Sequence, residues 1–418
     1  MIDARMLVLT VACTVASAGS VQAEDAFKIG LIDPLSGPAA TTGEVGLKTW
    51  QFLAGEVNAG GGINGRKLEV VGYDNKMNPQ ETAIQAQKAI DSGARLLVRA
   101  NGAAPGVALN DFLNKFNERN PTKQTLYFDY AGADPTATNE KCSYWQIRWA
   151  ANIDMKVLAL TQYLKGQAET KKLYMINGDY STGQGIRKAM RSNLAEKRPD
   201  VEIVGDELVP LMKVNDFAPY VEKIKASGAD SVVTGAWGQD LALLLKAAGE
   251  AGVKVKWYTF FAQGIGSPTA VRQSRLPPHT VFEIYEAHAN IPSAAYREEE
   301  KNFRAVVGSG QTMMYPASVN AMDMFAKAAK ELKTLDVAKI VASLEGAKFK
   351  PRAGGDGWIR AEDHQVFQPL YVASIGPIEK DQGFDEENTG WGWRQVGEVK
   401  PEDTVVPTTC QMKRPQPE

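Results

Sequence analysis

Residues 27–74 read FKIGLIDPLSGPAATTGEVGLKTWQFLAGEVNAGGGINGRKLEVVGYD. The stretch opens with an apolar run over 27–32, breaks at a polar turn over 33–38, and takes helical spacing over 44–58 before a second β-rich run over 68–73. A short strand apolar on both faces, then a helix, then another such strand is the pattern of a parallel sheet covered on both sides. The alternation continues with helix 79–92, strand 95–98, helix 107–119 and strand 125–128. It restarts further on: strands at 172–177, 202–208, 231–234 and 256–261 alternate with helices at 183–196, 217–227 and 240–252. Helices at 295–307 and 315–332 and strands at 358–360 and 367–373 complete the reading. The fold class is α/β, with two successive lobes of doubly wound parallel sheet. Open sheets of this kind bind ligands outside the carboxyl ends of their strands, so the turns after Ile32 and Asn177 should face one crevice.

Residues 1–23, MIDARMLVLTVACTVASAGSVQA, carry no charge over 6–18 and place Val21 and Ala23 at the minus-three and minus-one positions of a cleavage site. This is the pattern of an export signal, with Arg5 as its only base, and it is shorter than the ~20 apolar residues that span a bilayer. The expected mature start is Glu24. Cys13 does not suit a lipid anchor, because Thr10 stands where a bulky aliphatic residue is wanted. Cys142 and Cys410 then remain as the only pair, and an oxidising compartment favours joining them over leaving two separate thiols.

A chain of 418 residues suggests two or three domains. Its net charge of −2 gives no basic face for nucleic acid or an anionic membrane. The common catalytic motifs are missing. Residues 37–43 hold no lysine for a phosphate loop, and there is no G-x-S-x-G elbow or H-E-x-x-H helix. His279, His288 and His364 are not spaced as metal ligands and read as turn or surface residues. GQGIRK at 183–188 lacks the third glycine of a dinucleotide fingerprint. No catalytic residue, metal or cofactor is expected. What does stand out is a series of aromatics at strand ends and helix starts: Tyr130, Tyr180, Trp237, Phe260, Phe261 and Tyr315. Each alone suits core or edge packing. Their common position at one end of successive elements points to a ligand-lining role for some of them.

The PLSGP turn, Gly43, the run NAGGGINGRKL over 58–68 and the pair Tyr73-Asp74 ahead of Pro79 resemble the leucine/isoleucine/valine-binding protein family, the type I periplasmic receptors of ABC importers. Weaker agreement runs through NGDYSTGQG, VVTGAWGQD and the helix after Tyr315. The resemblance implies two lobes joined by a hinge of three crossovers. Lobe one would take 27–147 and 291–363, and lobe two 148–290 and 364–418. It further implies a monomeric periplasmic protein that passes a small-molecule ligand to a membrane permease. A ligand-sensing receptor for a membrane kinase and a two-lobed periplasmic enzyme are the rival readings.

Two departures from the family pattern bear on the ligand. The loops at 101–104 and 130–132 hold a carboxylate in the family but carry no serine or threonine here, leaving the backbone N–H groups of Ala103 and Gly132. Where the family places an acid for the ligand's ammonium, this chain has Phe260, Phe261 and Ala262, so Asp179 or Asp240 would have to substitute. The expected site comprises Ala103, Tyr130, Gly132 and Tyr315 from lobe one and Tyr180, Thr182, Trp237 and Phe261 from lobe two. The expected ligand is a small hydrophobic carboxylate, either an aromatic acid or a branched-chain amino acid.

Overall fold

The computed structural model describes residues 26–415, so the export segment and the expected start at Glu24 lie outside the described residues. Strands β1 (Phe27–Asp33), β2 (Leu68–Asp74), β3 (Ala94–Arg99), β4 (Leu126–Asp129) and β5 (Gln146–Arg148) form a parallel sheet in the order β2-β1-β3-β4-β5. Helices α1 (Ala40–Ala59), α2 (Pro79–Asp91) and α3 (Ala103–Arg119) make its crossovers. The start of α2 is fixed locally: Asn78 accepts from the Glu81 N–H, and Pro79 supplies a preset φ in the first turn.

After α4 (Ile153–Leu164) the second unit contains β6 (Lys172–Gly178), α5 (Ser181–Lys197), β7 (Glu202–Val209), α6 (Ala218–Ala226), β8 (Ser231–Thr234), α7 (Gly238–Glu250), β9 (Lys256–Thr259), α8 (Ser267–Gln273) and β10 (Val281–Tyr285). The chain then returns to the first unit with α9 (Ala294–Val307), α10 (Ala317–Leu332) and α11 (Val337–Leu344). Phe303, Phe325 and Ile340 of these helices share a core with Ile29, Trp50 and Phe128. A small sheet of β11 (Lys348–Phe349), β12 (Gly357–Ile359) and β13 (Val366–Phe367) precedes β14 (Leu370–Pro377) and β15 (Trp391–Val399), which complete the second sheet as β15-β14-β10-β9-β8-β6-β7.

Three passages therefore link the two sheets, after β5, after β10 and between β12 and β14. They are tied to one another. Gln365 Nε2 donates to Ala150 O at 2.9 Å, Gln368 Nε2 to Trp149 O at 3.1 Å, and the Ala151 N–H to Glu286 Oε1 at 2.7 Å.

Several features depart from the sequence reading. The second sheet is mixed, because β14 runs antiparallel to both β10 and β15. Strand β15 was not anticipated, although half-buried and exposed residues alternate from Arg394 to Glu398 as a half-covered edge strand requires. Helices α4, α8 and α11 were also missed. His288 and His364 are buried rather than superficial: His364 Nδ1 bonds to Gln146 O at 3.0 Å and its Nε2 to Glu345 at 2.8 Å. The tail was expected to belong wholly with lobe two. Its end instead crosses to the first unit, where Cys410 is disulfide-bonded to Cys142, Thr408 donates to Thr138 O at 2.8 Å and Met412 packs on the first core.

Candidate functional site

Between the carboxyl ends of the two sheets lies a cavity of about 100 Å³. Its lobe-one wall is built by the turn after β3 and the loop after β4. Gly102 caps α3 at φ 86°, a left-handed value that favours glycine, so that Ala103 begins the helix at the cavity edge. The loop is held from below by Asp33, whose carboxylate accepts from Ala100 N at 3.0 Å and from Asn101 N at 2.9 Å. Burial pushes the Asp33 carboxyl up to about 6 despite the nearby Arg99 and these donors.

The lobe-two wall comes from the starts of α5 and α7 and the loop after β9. Tyr180 and Trp237 occupy the N-cap positions of α5 and α7 in extended backbone and provide no capping oxygen. Neither α3 nor α5 has an acid in its first turn. Three helix N-termini thus meet at one cavity without side-chain caps, and their first-turn N–H groups have no intrahelical acceptor. Such termini attract a carboxylate. The rest of the lining is largely aromatic and aliphatic, with Phe261, Tyr285, Ile265, Met314 and Tyr315. Burial pushes the Tyr180 phenol up to about 12, against hydrogen bonds from Trp237 and Thr182.

The structure brings Ala103, Gly132, Tyr180, Thr182, Trp237, Phe261 and Tyr315 together around this cavity. Tyr130 is the exception. It is fully buried behind the wall, with its hydroxyl donating to Asp33 at 2.6 Å and its ring edge-on to Tyr315 at 5.1 Å between centroids. Gly132 lines the cavity but not as the free donor expected, because its N–H is bonded to Asp129 Oδ1 at 2.6 Å. That carboxylate in turn sits 3.7 Å from both Arg99 and Arg148, all three side chains 1% exposed. A Cβ at Gly132 would fall onto Asp129, which is why a glycine stands there.

Neither Asp179 nor Asp240, the candidate acids, lines the cavity: Asp179 accepts from Gln184 Nε2 at 2.9 Å, and Asp240 accepts from Met212 N at 2.8 Å through one oxygen while its other oxygen is buried without a partner. The acid in the wall is Glu283, from the middle of β10. Its Oε2 accepts from Thr259 Oγ1 at 2.7 Å and from Ala262 N at 2.5 Å. Burial raises it to about 7 against the influence of Lys156. A single acid inside the apolar strand VFEIY was the available sequence signal. Among the described residues no cluster of His, Cys, Asp or Glu is placed to hold a metal, and no helix is long and apolar enough to cross a membrane.

Two α/β lobes with a largely apolar cavity between them, met by three helix N-termini, have the architecture of a binding protein that encloses small molecules. Comparison with known proteins agrees: the periplasmic binding protein family model matches residues 26–382. A relative, the Leu/Ile/Val-binding protein homolog 4 of Brucella abortus (strain 2308), is 30% identical over 415 residues, covering 97% of this chain and 96% of that one. The closed leucine-, isoleucine-, valine-, threonine-, and alanine-binding protein from Brucella ovis superposes with a TM-score of 0.84 at 28% identity, over 94% of this chain and 100% of that one. A solute-binding protein of an ABC transporter from Rhodopseudomonas palustris HaA2, solved with p-hydroxybenzoic acid, shares the fold with a TM-score of 0.74 at 20% identity, over 90% and 98% of the two chains. The chain belongs to the Leu/Ile/Val-binding family of periplasmic binding proteins.

Proposed function

We propose that this protein is the periplasmic receptor of an ABC importer for a small hydrophobic carboxylate, an aromatic acid or a branched-chain amino acid, which it hands to a membrane permease. The observation that carries the reading is the convergence of three side-chain-uncapped helix N-termini on a cavity walled largely by aromatic and aliphatic groups. The carboxylate lies against the N–H groups at the start of α3, and the hydrophobic body lies between Trp237, Phe261 and Tyr315. Lobe one (27–147 with 291–363) and lobe two (148–290 with β14 and β15 of the segment 364–418) contact the ligand together only when closed. The ligand therefore shifts the hinge equilibrium toward the closed form by its differential affinity for the two states.

The ligands named for these relatives, branched-chain and other small amino acids on one side and a hydroxybenzoate on the other, bracket the same chemistry. A thermal-shift screen of amino acids, aromatic acids, amides and short diacids tests the proposal, since a ligand at 100 times its Kd stabilises the protein by ~2.7 kcal/mol. Stabilisation confined to apolar carboxylates is the expected result. Stabilisation by neutral amides or diacids alone would contradict it.

A further inference from the structure

Glu283 is fully buried in the cavity wall, and only one of its two oxygens is accounted for. Oε2 has its two donors, whereas Oε1 has no hydrogen-bond partner within the protein. The surrounding charges do not balance. Lys156, also buried, holds its ammonium 3.8 Å from Glu286 Oε2 and 3.8 Å from the centroid of the Tyr285 ring, and Glu286 further accepts from Ala151 N. Lys156 pairs with Glu286 and reaches Glu283 only through its field, so two buried carboxyls depend on one buried ammonium. An uncompensated carboxylate inside an apolar wall is costly and calls for a cationic partner or a proton. The elevation of Glu283 to about 7 fits a proton standing in for that partner near neutrality.

From this the geometry points to Glu283 as the specificity-determining group of the cavity: its free oxygen receives a protonated amine of the ligand. The inference rests on the receptor function proposed above and narrows its ligand to a hydrophobic amino acid. In the closed lobes the ligand's carboxylate meets the α3 terminus from one side, and its ammonium meets Glu283 from the other. The residue comes from β10 rather than from the loop after β9. Phe261 is therefore free to serve as an apolar wall without depriving the ligand of an anion.

Paired probes that differ only in the amine test this assignment: leucine against 4-methylpentanoate, and phenylalanine against 3-phenylpropanoate, titrated calorimetrically into ligand-stripped wild type and Glu283→Gln. In at least one pair the wild type should bind the amine-bearing member at least tenfold more tightly. Glu283→Gln, which keeps an acceptor for Thr259 or Ala262 but loses the charge, should abolish that preference while leaving the des-amino acid within about threefold. Equal wild-type affinity within each pair, or an equal loss on both members in the variant, would overturn the assignment while leaving the receptor function standing. The wild-type comparison decides even if the variant fails to fold. Binding of none of the four probes would overturn this assignment, and the receptor proposal would fall with it only if the thermal-shift screen also finds no apolar carboxylate.

Discussion

The Tyr130 hydroxyl donates to Asp33 Oδ2 at 2.6 Å beneath the cavity, on the same carboxylate that holds Ala100 and Asn101. This places Tyr130 among the supports of the site rather than on its surface. Tyr130→Phe removes one donor to a buried carboxyl and should cost about 1.5–3 kcal/mol of stability, read from denaturant midpoints. Ligand affinity should fall less than tenfold, because no lining atom is lost. A larger loss of affinity without loss of stability would return Tyr130 to the binding surface.

The tail carries a second prediction. Cys142 and Cys410 close a loop across 268 positions, so replacing both with serine should destabilise the protein by up to about 5.6 kcal/mol in the chain-entropy account. Protein that begins at Glu24, and so lacks Cys13, should show no titratable thiol when unfolded without reductant. Two thiols under those conditions would contradict the bridge.

At Gly132 a side chain has no room, since its Cβ would displace Asp129 from between Arg99 and Arg148. Gly132→Ala should therefore destabilise the protein by about 1–3 kcal/mol, as overpacking of a well-filled site does, with further loss if the buried ion pairs part. An unchanged melting temperature would mean that the loop gives way without cost.

Much of this was legible in the sequence. Apolar strands such as 27–32 and 231–234 announced the parallel sheets because both of their faces are buried, and the aromatics at strand ends announced one end of the sheets. What stayed hidden depended on three-dimensional pairing. Tyr130 looks like Tyr180 in sequence, yet only the position of Asp33 decides that its hydroxyl turns inward. Gly132 offers an N–H on paper, but Asp129, three residues earlier, takes it. Glu283 lay outside the loop where an acid was sought, and only the pairing of β10 with β9 brings it to the cavity wall. The antiparallel direction of β14, expected as a strand at 367–373, and the whole of β15 were obscured because the crossover pattern ends before them.

Acid–base behaviour offers a further check. Glu386 is buried beside Thr312, with Glu300, Arg304 and Glu387 nearby, and burial raises its carboxyl from 4.5 to about 8. The folded protein therefore retains a proton that the unfolded chain has lost, so this group's contribution to stability falls as pH rises from about 4.5 to about 8. In ligand-free protein, Glu386→Gln should flatten the decline in Tm between pH 5 and pH 8 relative to wild type. Parallel profiles for the two proteins would show that Glu386 does not titrate in that window.

The central claim, that ligand is held in the cavity between the two sheets, is tested most directly at Trp237, which is half-buried at the start of α7 and lines the cavity. Calorimetric titration of wild type and Trp237→Ala with the tightest ligand from the screen should show a loss of about 2–4 kcal/mol, roughly 30- to 1000-fold in Kd, with the ligand-free melting temperature nearly unchanged. Intact affinity in Trp237→Ala would contradict the account and place the ligand elsewhere.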